Sequence, residues 1–408
     1  MLGGILVTLV TAVLAIIFIQ SLKGRYPFIN TNLLTGLYFF HLFLSLVYYL
    51  YAIVEGSDSM AYYQKVLIDY RGDTWADFYG TSTTFIEFLG YPFIRFMNFS
   101  YEAIMSLFSF FGFIGFLYFY IFFKENLRYK HQLFGFDLLT LIFFLPNLHF
   151  WSASFGKGSV IFLAFGIFFY GISRMRSRII PLLIGGILIY HVRPHIMLIV
   201  VVSGAIGFIF STRGVSTGWR VAFLFGAAVA FFFIYQDVLT LIGIDEDTVV
   251  SQGFDLSHRA TELTKATSGF DIASYSLPEQ MFAFLYRPLF YDAPGMLGII
   301  VSFENVFYLL VTLQFFFTRG GIQYLFRGTA ITKTAFLSFF TVALALAQIS
   351  GNLGLAMRQK SQVMILFLFV FVCFLDERKH LMARRIKARK MQMERMRVAA
   401  ARTSAEII

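Results

Sequence analysis

The sequence is poor in cysteine and in charge, and each shortage excludes a class of protein. Cys373 is the only cysteine, so neither an intramolecular disulfide nor a thiolate metal cage can form. Only 14% of the residues are charged, whereas 58% are hydrophobic, and a chain of this length cannot build a water-facing surface from that composition. The motifs GxGxxG, HExxH and GxSxG do not occur, so the chemistry cannot be inferred from a familiar catalytic signature.

Apolar runs that are long enough to cross a bilayer recur along the chain. A hydrocarbon core about 30 Å thick needs roughly 20 apolar residues per helix, and on this basis we predict an all-α polytopic membrane protein. Runs between 159 and 211 are short for a straight crossing, which is typical of helices that begin or end beside a cavity. The first run has no basic segment before it and no clear cleavage site, so we expect a retained helix. The eleven predicted spans are residues 2–22, 32–54, 101–123, 133–150, 159–173, 179–192, 196–211, 221–243, 296–318, 334–350 and 361–375.

The distribution of Lys and Arg predicts the orientation of these spans. With the N-terminus outside, 23 of the 33 basic residues fall on the cytoplasmic side, as the positive-inside rule requires. The membrane domain is then residues 1–375, with outer loops at 55–100 and 244–295, and residues 376–408 form a basic cytoplasmic tail. A basic segment directly after a last span typically rests on anionic lipid, so we expect membrane lipid rather than nucleic acid as its partner.

Local patterns give further expectations for the loops and for helix packing. Ser276 and Glu279 have the spacing of a capping box before a short amphipathic helix that Pro288 ends. The aromatic stretch 85–99 is expected to be re-entrant or interfacial, and most carboxylates of the first outer loop are expected to be solvated. These carboxylates are Asp69, Asp73, Asp77 and Glu87. Glycine pairs at 112 and 115 and at 204 and 207 predict close helix packing.

Four basic residues stand at outer helix ends beside Pro or Gly, where the positive-inside bias works against them. They are Lys157 in Trp151-Ser-Ala-Ser-Phe-Gly-Lys157, Arg193 in His191-Val-Arg-Pro-His195, Arg287 in Tyr286-Arg-Pro288, and Arg358 in Asn352-Leu-Gly-Leu-Ala-Met-Arg358. Each of them alone is equally well explained by snorkelling to lipid headgroups or by local pairing. As a set, we expect them to converge on one anion, since arginine gives bidentate contacts to phosphate.

Three residues are candidates for proton transfer. Glu304 lies inside a predicted span, where a carboxylate usually faces a cavity or a basic partner; an outer arginine as that partner would make Glu304 structural. Asp58 begins the segment Asp58-Ser-Met-Ala-Tyr-Tyr63 just beyond a span. His191 and His195 are four residues apart, as in a metal site, but no third ligand is near. A hydrogen-bonding, acid–base or structural role for His195 is therefore favoured over metal binding.

The motifs together resemble a known family, the Wzy-like polymerases of polysaccharide repeat units in bacterial inner membranes. The resemblance is carried, in order, by the segments around Lys157 and Arg193, by Leu285-Tyr-Arg-Pro-Leu-Phe290 with Glu304-Asn305, and by Gly351-Asn-Leu-Gly-Leu-Ala-Met-Arg-Gln-Lys360. The segment from Asp58 to Tyr63 is similar to the first-loop pattern of EpsG-like members. Members often carry a further acidic residue soon after the Arg-Pro pair, where this chain has Asp292, and its role is left open.

The resemblance implies an enzyme that acts on undecaprenyl-diphosphate-linked oligosaccharides at the outer face of the bacterial inner membrane, without a cofactor or a metal, and with a GT-C-like architecture. Such an enzyme transfers the growing glycan from one lipid diphosphate to a sugar hydroxyl of the next repeat unit. The resemblance also implies a flippase and a chain-length regulator as partners. The implied substrate-binding residues are Lys157, Arg193, Arg287, Arg358, Tyr63 and Asn352, and the candidates for the base are Asp58, His195 and Glu304.

Other functions fit parts of the same pattern. Short broken helices and an intramembrane carboxylate also suit a transporter of an anionic solute or glycolipid. The sequence, however, shows neither the inverted repeats nor the continuous polar route to both faces that a transporter is expected to have. A non-enzymatic scaffold would leave the outer cations unexplained, whereas a ligase or a single-sugar transferase would share the outer-face chemistry.

Overall fold

The chain folds almost entirely into helices. The computed structural model describes residues 2–68, 70–133, 135–211, 215–242, 275–293, 295–350 and 353–406, without side chains at 234–242 and 398–406. About 83% of the residues are helical, and there is no closed sheet among the described residues. Six helices are long and apolar enough to cross a membrane. The prediction of an all-α membrane protein is therefore confirmed.

The helices are numbered in chain order. They are α1 Leu2–Arg25, α2 Thr31–Glu55, α3 Asp58–Leu67, α4 Thr83–Tyr91, α5 Tyr101–Asn126, α6 Leu138–Phe143, α7 Pro146–Ser152, α8 Lys157–Ser173, α9 Ile179–Val192, α10 Pro194–Ile209, α11 Thr217–Ile242, α12 Leu277–Tyr286, α13 Gly295–Phe317, α14 Gly321–Arg327, α15 Ala330–Ile349 and α16 Leu353–Glu406. Short 3-10 turns occupy Trp75–Phe78 and Phe290–Asp292, a π-helical turn occupies Pro92–Phe96, and the strands β1 Gln132–Leu133 and β2 Phe136–Asp137 form an antiparallel hairpin.

The long apolar helices match six of the predicted spans. They are α1, α2, α5, α13, α15 and the apolar part of α16. At the other five predicted positions lie shorter apolar helical segments, which are Leu138–Ser152, Lys157–Ser173, Ile179–Val192, Pro194–Ile209 and Thr217–Phe233. The count of eleven crossings and their orientation stay predictions.

One predicted span has a different structure. Residues 133–150 were expected to form a single helix, but they contain the end of the β-hairpin and two short helices, α6 and α7, that meet at Leu145 and Pro146. Proline lacks a backbone N–H and disfavours helical geometry in the residue before it. The break therefore follows from Pro146, which begins α7.

Small residues bring the central helices into close contact. A Cβ added to Gly166 of α8 would lie 2.7 Å from the carbonyl oxygen of Gly115 on α5, and one added to Gly207 of α10 would lie 2.8 Å from the backbone nitrogen of Thr334 on α15. Both distances are shorter than real Cβ contacts allow. Close packing at Gly115 and Gly207 is confirmed.

The first outer segment is folded rather than extended. Its helices α3 and α4 are joined through the 3-10 turn, and the stretch after α4 continues as the π-helical turn. Glu87 of α4 has a fully buried side chain whose carboxylate accepts a 2.7 Å hydrogen bond from Arg71 Nε. Asp73 and Asp77 are exposed, as expected for most of these carboxylates, whereas Glu87 is the exception; Asp69 lies outside the described residues.

The helix predicted before the Arg-Pro pair is present. The backbone N–H and the hydroxyl of Ser276 donate hydrogen bonds of 2.9 and 2.6 Å to Glu279 Oε2, which confirms the capping box. These bonds lower the pKa of Glu279. Helix α12 ends at Tyr286, two residues before Pro288.

The last predicted span and the basic tail belong to one continuous helix, α16. The predicted start of that span at 361 is too late, because the helix already begins at Leu353. Near the predicted end of the span, Asp376 accepts hydrogen bonds of 2.9 and 2.8 Å from the backbone N–H groups of Arg128 and Tyr129. This carboxylate fixes the segment after α5 against α16.

Candidate functional site

The first helix of the outer segment is tied to the start of α16 by an ion pair. Asp58, the first residue of α3, accepts a hydrogen bond from Arg358 Nη1. Half of the Asp58 side chain is exposed (54%), compared with 20% for Arg358. The guanidinium of Arg358 also lies 5.9 Å from the ring centroid of Trp151 on α7. The pair is therefore held at the surface of the fold, where a ligand from outside can reach it.

Tyr62 lies beside this pair. It follows Asp58 by four residues on α3, which places both side chains on one face of the helix. Burial and the nearby Asp58 carboxylate raise the pKa of Tyr62, and the Arg358 charge opposes that rise. Its ring meets that of Phe155 edge-on at a centroid distance of 6.3 Å. The buried Tyr62 of α3 thus contacts the segment before α8 and lies close to Arg358.

Arg193 is a second cation at this place. It occupies the joint between α9 and α10, where its backbone N–H donates a 2.8 Å hydrogen bond to Ile189 O. Its positive charge acts on that of Arg358, and Tyr62 interacts with both. Within the described part of the chain, the buried Nε atom of Arg193 has no hydrogen-bond partner. Two like charges and an unsatisfied buried donor favour an anion between them.

Lys157, the first residue of α8, adds a third cation. Its Nζ donates a 2.8 Å hydrogen bond to Ser82 Oγ, and the Ser82 N–H donates a 2.6 Å bond to His191 O. Ser82 has a φ of 64°, which is costly for a residue other than glycine. A Cβ added to Gly156, the residue before Lys157, would lie 3.9 Å from the Tyr62 ring. Arg193 and Arg358 therefore interact with Tyr62, and Lys157 follows the glycine that lies beside the Tyr62 ring.

His191 is held by hydrogen bonds on both ring nitrogens. Its Nδ1 lies 2.8 Å from Ile187 O and must carry the proton, because a carbonyl oxygen only accepts. Its Nε2 then accepts from the Tyr79 hydroxyl at 2.9 Å. No cluster of three or more His, Cys, Asp or Glu residues suited to a metal occurs in the described ranges. A structural role for His191 follows.

Arg287 belongs to a different cluster. It caps the C-terminus of α12, and its Nε donates a hydrogen bond to Asp292 Oδ2. Its Nη1 donates to the hydroxyl of Tyr275 at 3.3 Å. Only 9% of the Arg287 side chain and 1% of the Asp292 side chain are exposed. The acid after the Arg-Pro pair, whose role the motifs leave open, thus neutralises the arginine.

A buried lysine holds the loop that carries Arg287. The Nζ of Lys360, whose side chain is fully buried, donates 2.7 Å hydrogen bonds to Arg287 O and to Asn305 Oδ1. The Asn305 side chain in turn donates a 2.7 Å bond to Pro288 O. Two consecutive carbonyls of the Arg-Pro loop are therefore bound by α13 and α16. Sequence reasoning did not assign this role to Lys360 or Asn305, although both lie in quoted motifs.

Glu304 lies under these groups and is only 4% exposed. Its carboxylate accepts a 2.8 Å hydrogen bond from the Asn147 N–H at the start of α7 and a further bond from the Tyr308 hydroxyl. A basic residue does act on Glu304, as one of the two alternatives has it, but that residue is Lys360 and not an outer arginine. Glu304 therefore joins α7 to α13.

The remaining candidates are placed as follows. Tyr63 points away from the cations, since its hydroxyl donates a 3.2 Å hydrogen bond to Phe99 O. His195 lies in the first turn of α10, two residues after Arg193, with a half-buried side chain. Asn352 lies outside the described residues. Tyr62 rather than Tyr63 faces the cation cluster, and its spacing of four residues from Asp58 is the signal that identifies it.

A large apolar groove opens beside the ion pair. It has a volume of about 1090 Å³ and lies between α2, α7, α13 and α16. Asp58, Arg358 and Trp151 line one end, and apolar residues such as Leu44, Val47 and Val301 line the rest. Arg358 thus lines the end of a cavity of the size that small-molecule ligands use.

Comparison with protein-family models gave no match to this chain, and neither a curated protein nor a solved structure matched it. The functional argument therefore depends on the geometry of the site and on the motifs that the chain itself carries.

Proposed function

We propose that this protein is a membrane glycosyltransferase that polymerises polyprenyl-diphosphate-linked oligosaccharide repeat units at the outer face of the bacterial inner membrane. The observation that carries the proposal is Arg358 at the polar end of an apolar groove, with the charge of Arg193 acting on it and on Tyr62 and with Lys157 next to the glycine beside Tyr62. A diphosphate attached to a long lipid has the charge and the apolar part that this surface requires.

The cations serve the leaving group. In the proposed reaction, the bond between the sugar anomeric carbon and the diphosphate oxygen of the donor lipid breaks, and negative charge builds up on the departing diphosphate. Preorganised donors at such a charge are worth about 10²–10³ in rate each. Arg193 and Arg358 supply guanidinium donors, and Lys157 supplies a point charge.

Asp58 is the best-placed base. The attacking sugar hydroxyl forms the new glycosidic bond and must release its proton, and an exposed carboxylate at the polar end of the groove can accept it. Glu304 is enclosed and already accepts two hydrogen bonds. His195, two residues from Arg193, stays an alternative base. We assign Glu304 to the framework and Asp58 to proton transfer.

Arg287 supports the site indirectly in this proposal. Its side chain is paired with Asp292, and its loop is held by Lys360 and Asn305. We therefore propose that Lys157, Arg193 and Arg358 bind the diphosphate and that Arg287 positions the loop between α12 and α13. A flippase that delivers the lipid-linked repeat unit and a chain-length regulator remain the proposed partners.

The test is polymer formation by the purified full-length chain in vesicles that contain a lipid-linked oligosaccharide repeat unit. A ladder of glycolipids spaced by one repeat unit, with release of one polyprenyl diphosphate per bond formed, is the expected product. Arg193→Ala and Arg358→Ala should each lower the rate by about 10²–10³, while size-exclusion profiles in detergent stay unchanged.

Other products would assign other functions. Addition of one sugar only would identify a single-sugar transferase, and transfer of the glycan to a non-repeat acceptor would identify a ligase. Movement of the intact glycolipid across the vesicle membrane without bond formation would identify a transporter. Each of these outcomes would overturn the polymerase proposal.

A further inference from the structure

The groove extends deep into the membrane-spanning part of the protein. Its lining includes residues of α2 from Phe43 to Glu55, and twelve residues of helix correspond to about 18 Å. This is more than half of a hydrocarbon core of about 30 Å. The groove is thus long enough to follow a lipid chain from the outer helix ends toward the bilayer centre.

The sides of the groove are open to lipid. Phe43 of α2 and Met296 and Ile300 of α13 line it, yet their exposed fractions are 58%, 73% and 42%. Large apolar residues that remain exposed along two membrane-spanning helices face hydrocarbon rather than water. A ligand therefore has a lateral path into the groove from the bilayer.

The polar end of the groove carries the opposite chemistry. Arg358 lies there with its partner Asp58, and Glu55 also lines this end. Arg193 lies outside the lining, but its charge acts on Arg358 and Tyr62. A mobile anion that outcompetes Asp58 would gain a bidentate contact with Arg358 and the attraction of Arg193.

We propose that this groove seats the isoprenoid tail of a polyprenyl diphosphate, whose diphosphate displaces Asp58 from Arg358. The inference rests on the proposed function, since it assigns the tail of that substrate to a specific surface. An ordinary phospholipid carries a single charge on its phosphodiester, whereas a diphosphate carries more than one. Arg358 at the mouth, with the charge of Arg193 acting on it from beside the groove, therefore favours the diphosphate.

The displacement links binding to catalysis. The carboxylate of Asp58 accepts a hydrogen bond from Arg358 and is thereby engaged. When the diphosphate takes the guanidinium, the carboxylate is released next to the reacting group and becomes available to accept a proton. Asp58 thus pairs with Arg358 before the substrate binds and acts as the base after the diphosphate has displaced it.

The first test fills the groove. Val47→Trp on α2 and Val301→Trp on α13 place a large ring among lining residues, while Leu46→Trp and Leu310→Trp add the same ring at positions that are 55% exposed and outside the lining. Binding of undecaprenyl diphosphate to the full chain in lipid nanodiscs is measured by native mass spectrometry. The two filling variants should bind at least about tenfold more weakly, which equals the loss of roughly two buried methylene groups. The affinity of the two control variants for undecaprenyl diphosphate should change by less than about twofold, which is within about 0.5 kcal/mol. Equal binding by all four variants would overturn the proposal.

A second measurement does not require any variant to fold. A polyprenyl diphosphate with a photoreactive group on its tail is crosslinked to the unaltered protein, and the modified peptides are mapped. Adducts within 43–51 and 296–301 are expected. Adducts confined to other helices, or full protection by an equal concentration of phosphatidylglycerol, would show that the groove holds no polyprenyl tail or only bulk phospholipid.

The displacement of Asp58 from Arg358 by the diphosphate can be tested separately. Asp58→Asn removes the competing carboxylate, so it should tighten binding of undecaprenyl diphosphate by up to about fivefold, as expected for a surface ion pair. The same change should slow polymer formation. Tail binding and crosslinking without any polymer product would leave the groove assignment standing while the proposed function fails. If the Val47→Trp and Val301→Trp variants formed polymer at normal rates, the proposed function would stand and the groove assignment would fail.

Discussion

Replacement of Lys360 by methionine tests the framework of the site most sharply. The Lys360 ammonium is fully buried and donates two hydrogen bonds of 2.7 Å, to Arg287 O and Asn305 Oδ1. Bonds from a charged donor contribute about 1.5–3 kcal/mol each. Removal of the charge also relieves its desolvation, and methionine fills most of the volume. A net destabilisation of about 3 kcal/mol is therefore expected for Lys360→Met.

The assay is thermal unfolding of the purified protein in one detergent at one scan rate, because unfolding of such proteins is usually irreversible. Lys390→Met is the matched control, since Lys390 lies on the same helix with an exposed side chain. Lys360→Met should lower the apparent Tm by several degrees, and the control should not. Adding Asn305→Ala to Lys360→Met should cost less than the sum of the two single changes, because the two residues share a bond. Equal Tm values for Lys360→Met and Lys390→Met would refute the framework role.

Three further predictions follow from the site. Asp58→Asn should slow polymer formation by about 10²–10⁴, whereas Glu304→Gln should leave more than about a tenth of the rate; the opposite order would make Glu304 the base. Tyr62→Phe should slow polymer formation by about tenfold, as loss of one hydrogen bond does, whereas Tyr63→Phe should not; equal rates would remove Tyr62 from the site. The pKa of Glu279 is lowered by hydrogen bonds from Ser276, so the capping box stabilises α12 above the ordinary carboxyl pKa and is lost as pH falls through the lowered value. Ser276→Ala should weaken that pH dependence of the apparent Tm, and an unchanged profile would contradict the assignment.

The sequence predicted the long helices well because their apolar runs are bounded by polar or breaking residues. The predicted span 32–54 corresponds to α2, Thr31–Glu55, and the span 101–123 corresponds to α5, Tyr101–Asn126. The prediction of one helix over 133–150 was wrong because a hydropathy window averages over Pro146. Proline breaks the helix there, since it lacks a backbone N–H. The burial of Glu87 was not predictable from local spacing, because its partner Arg71 comes from a different part of the folded outer segment.

The candidate site was predictable only in part. The positive-inside bias identified Arg193 and Arg358, which interact with each other and with Tyr62, and also Lys157, which binds Ser82. The same bias gave no means to distinguish Arg287 from the other three cations. Its pairing with Asp292 depends on how the loop between α12 and α13 turns. The contacts of Lys360 join segments that lie far apart in the chain, and no local spacing encodes them.

In the proposed function, cations at the outer helix ends drive polymerisation of a lipid-linked glycan. The most direct measurement is the glycolipid profile, resolved by length on a gel, of cells that lack this chain and of the same cells supplied with the unaltered chain or with Arg358→Ala. The account predicts loss of the long ladder with accumulation of single lipid-linked repeat units, restored by the unaltered chain and not by Arg358→Ala. An unchanged ladder in cells that lack the chain, or full restoration by Arg358→Ala, would contradict it.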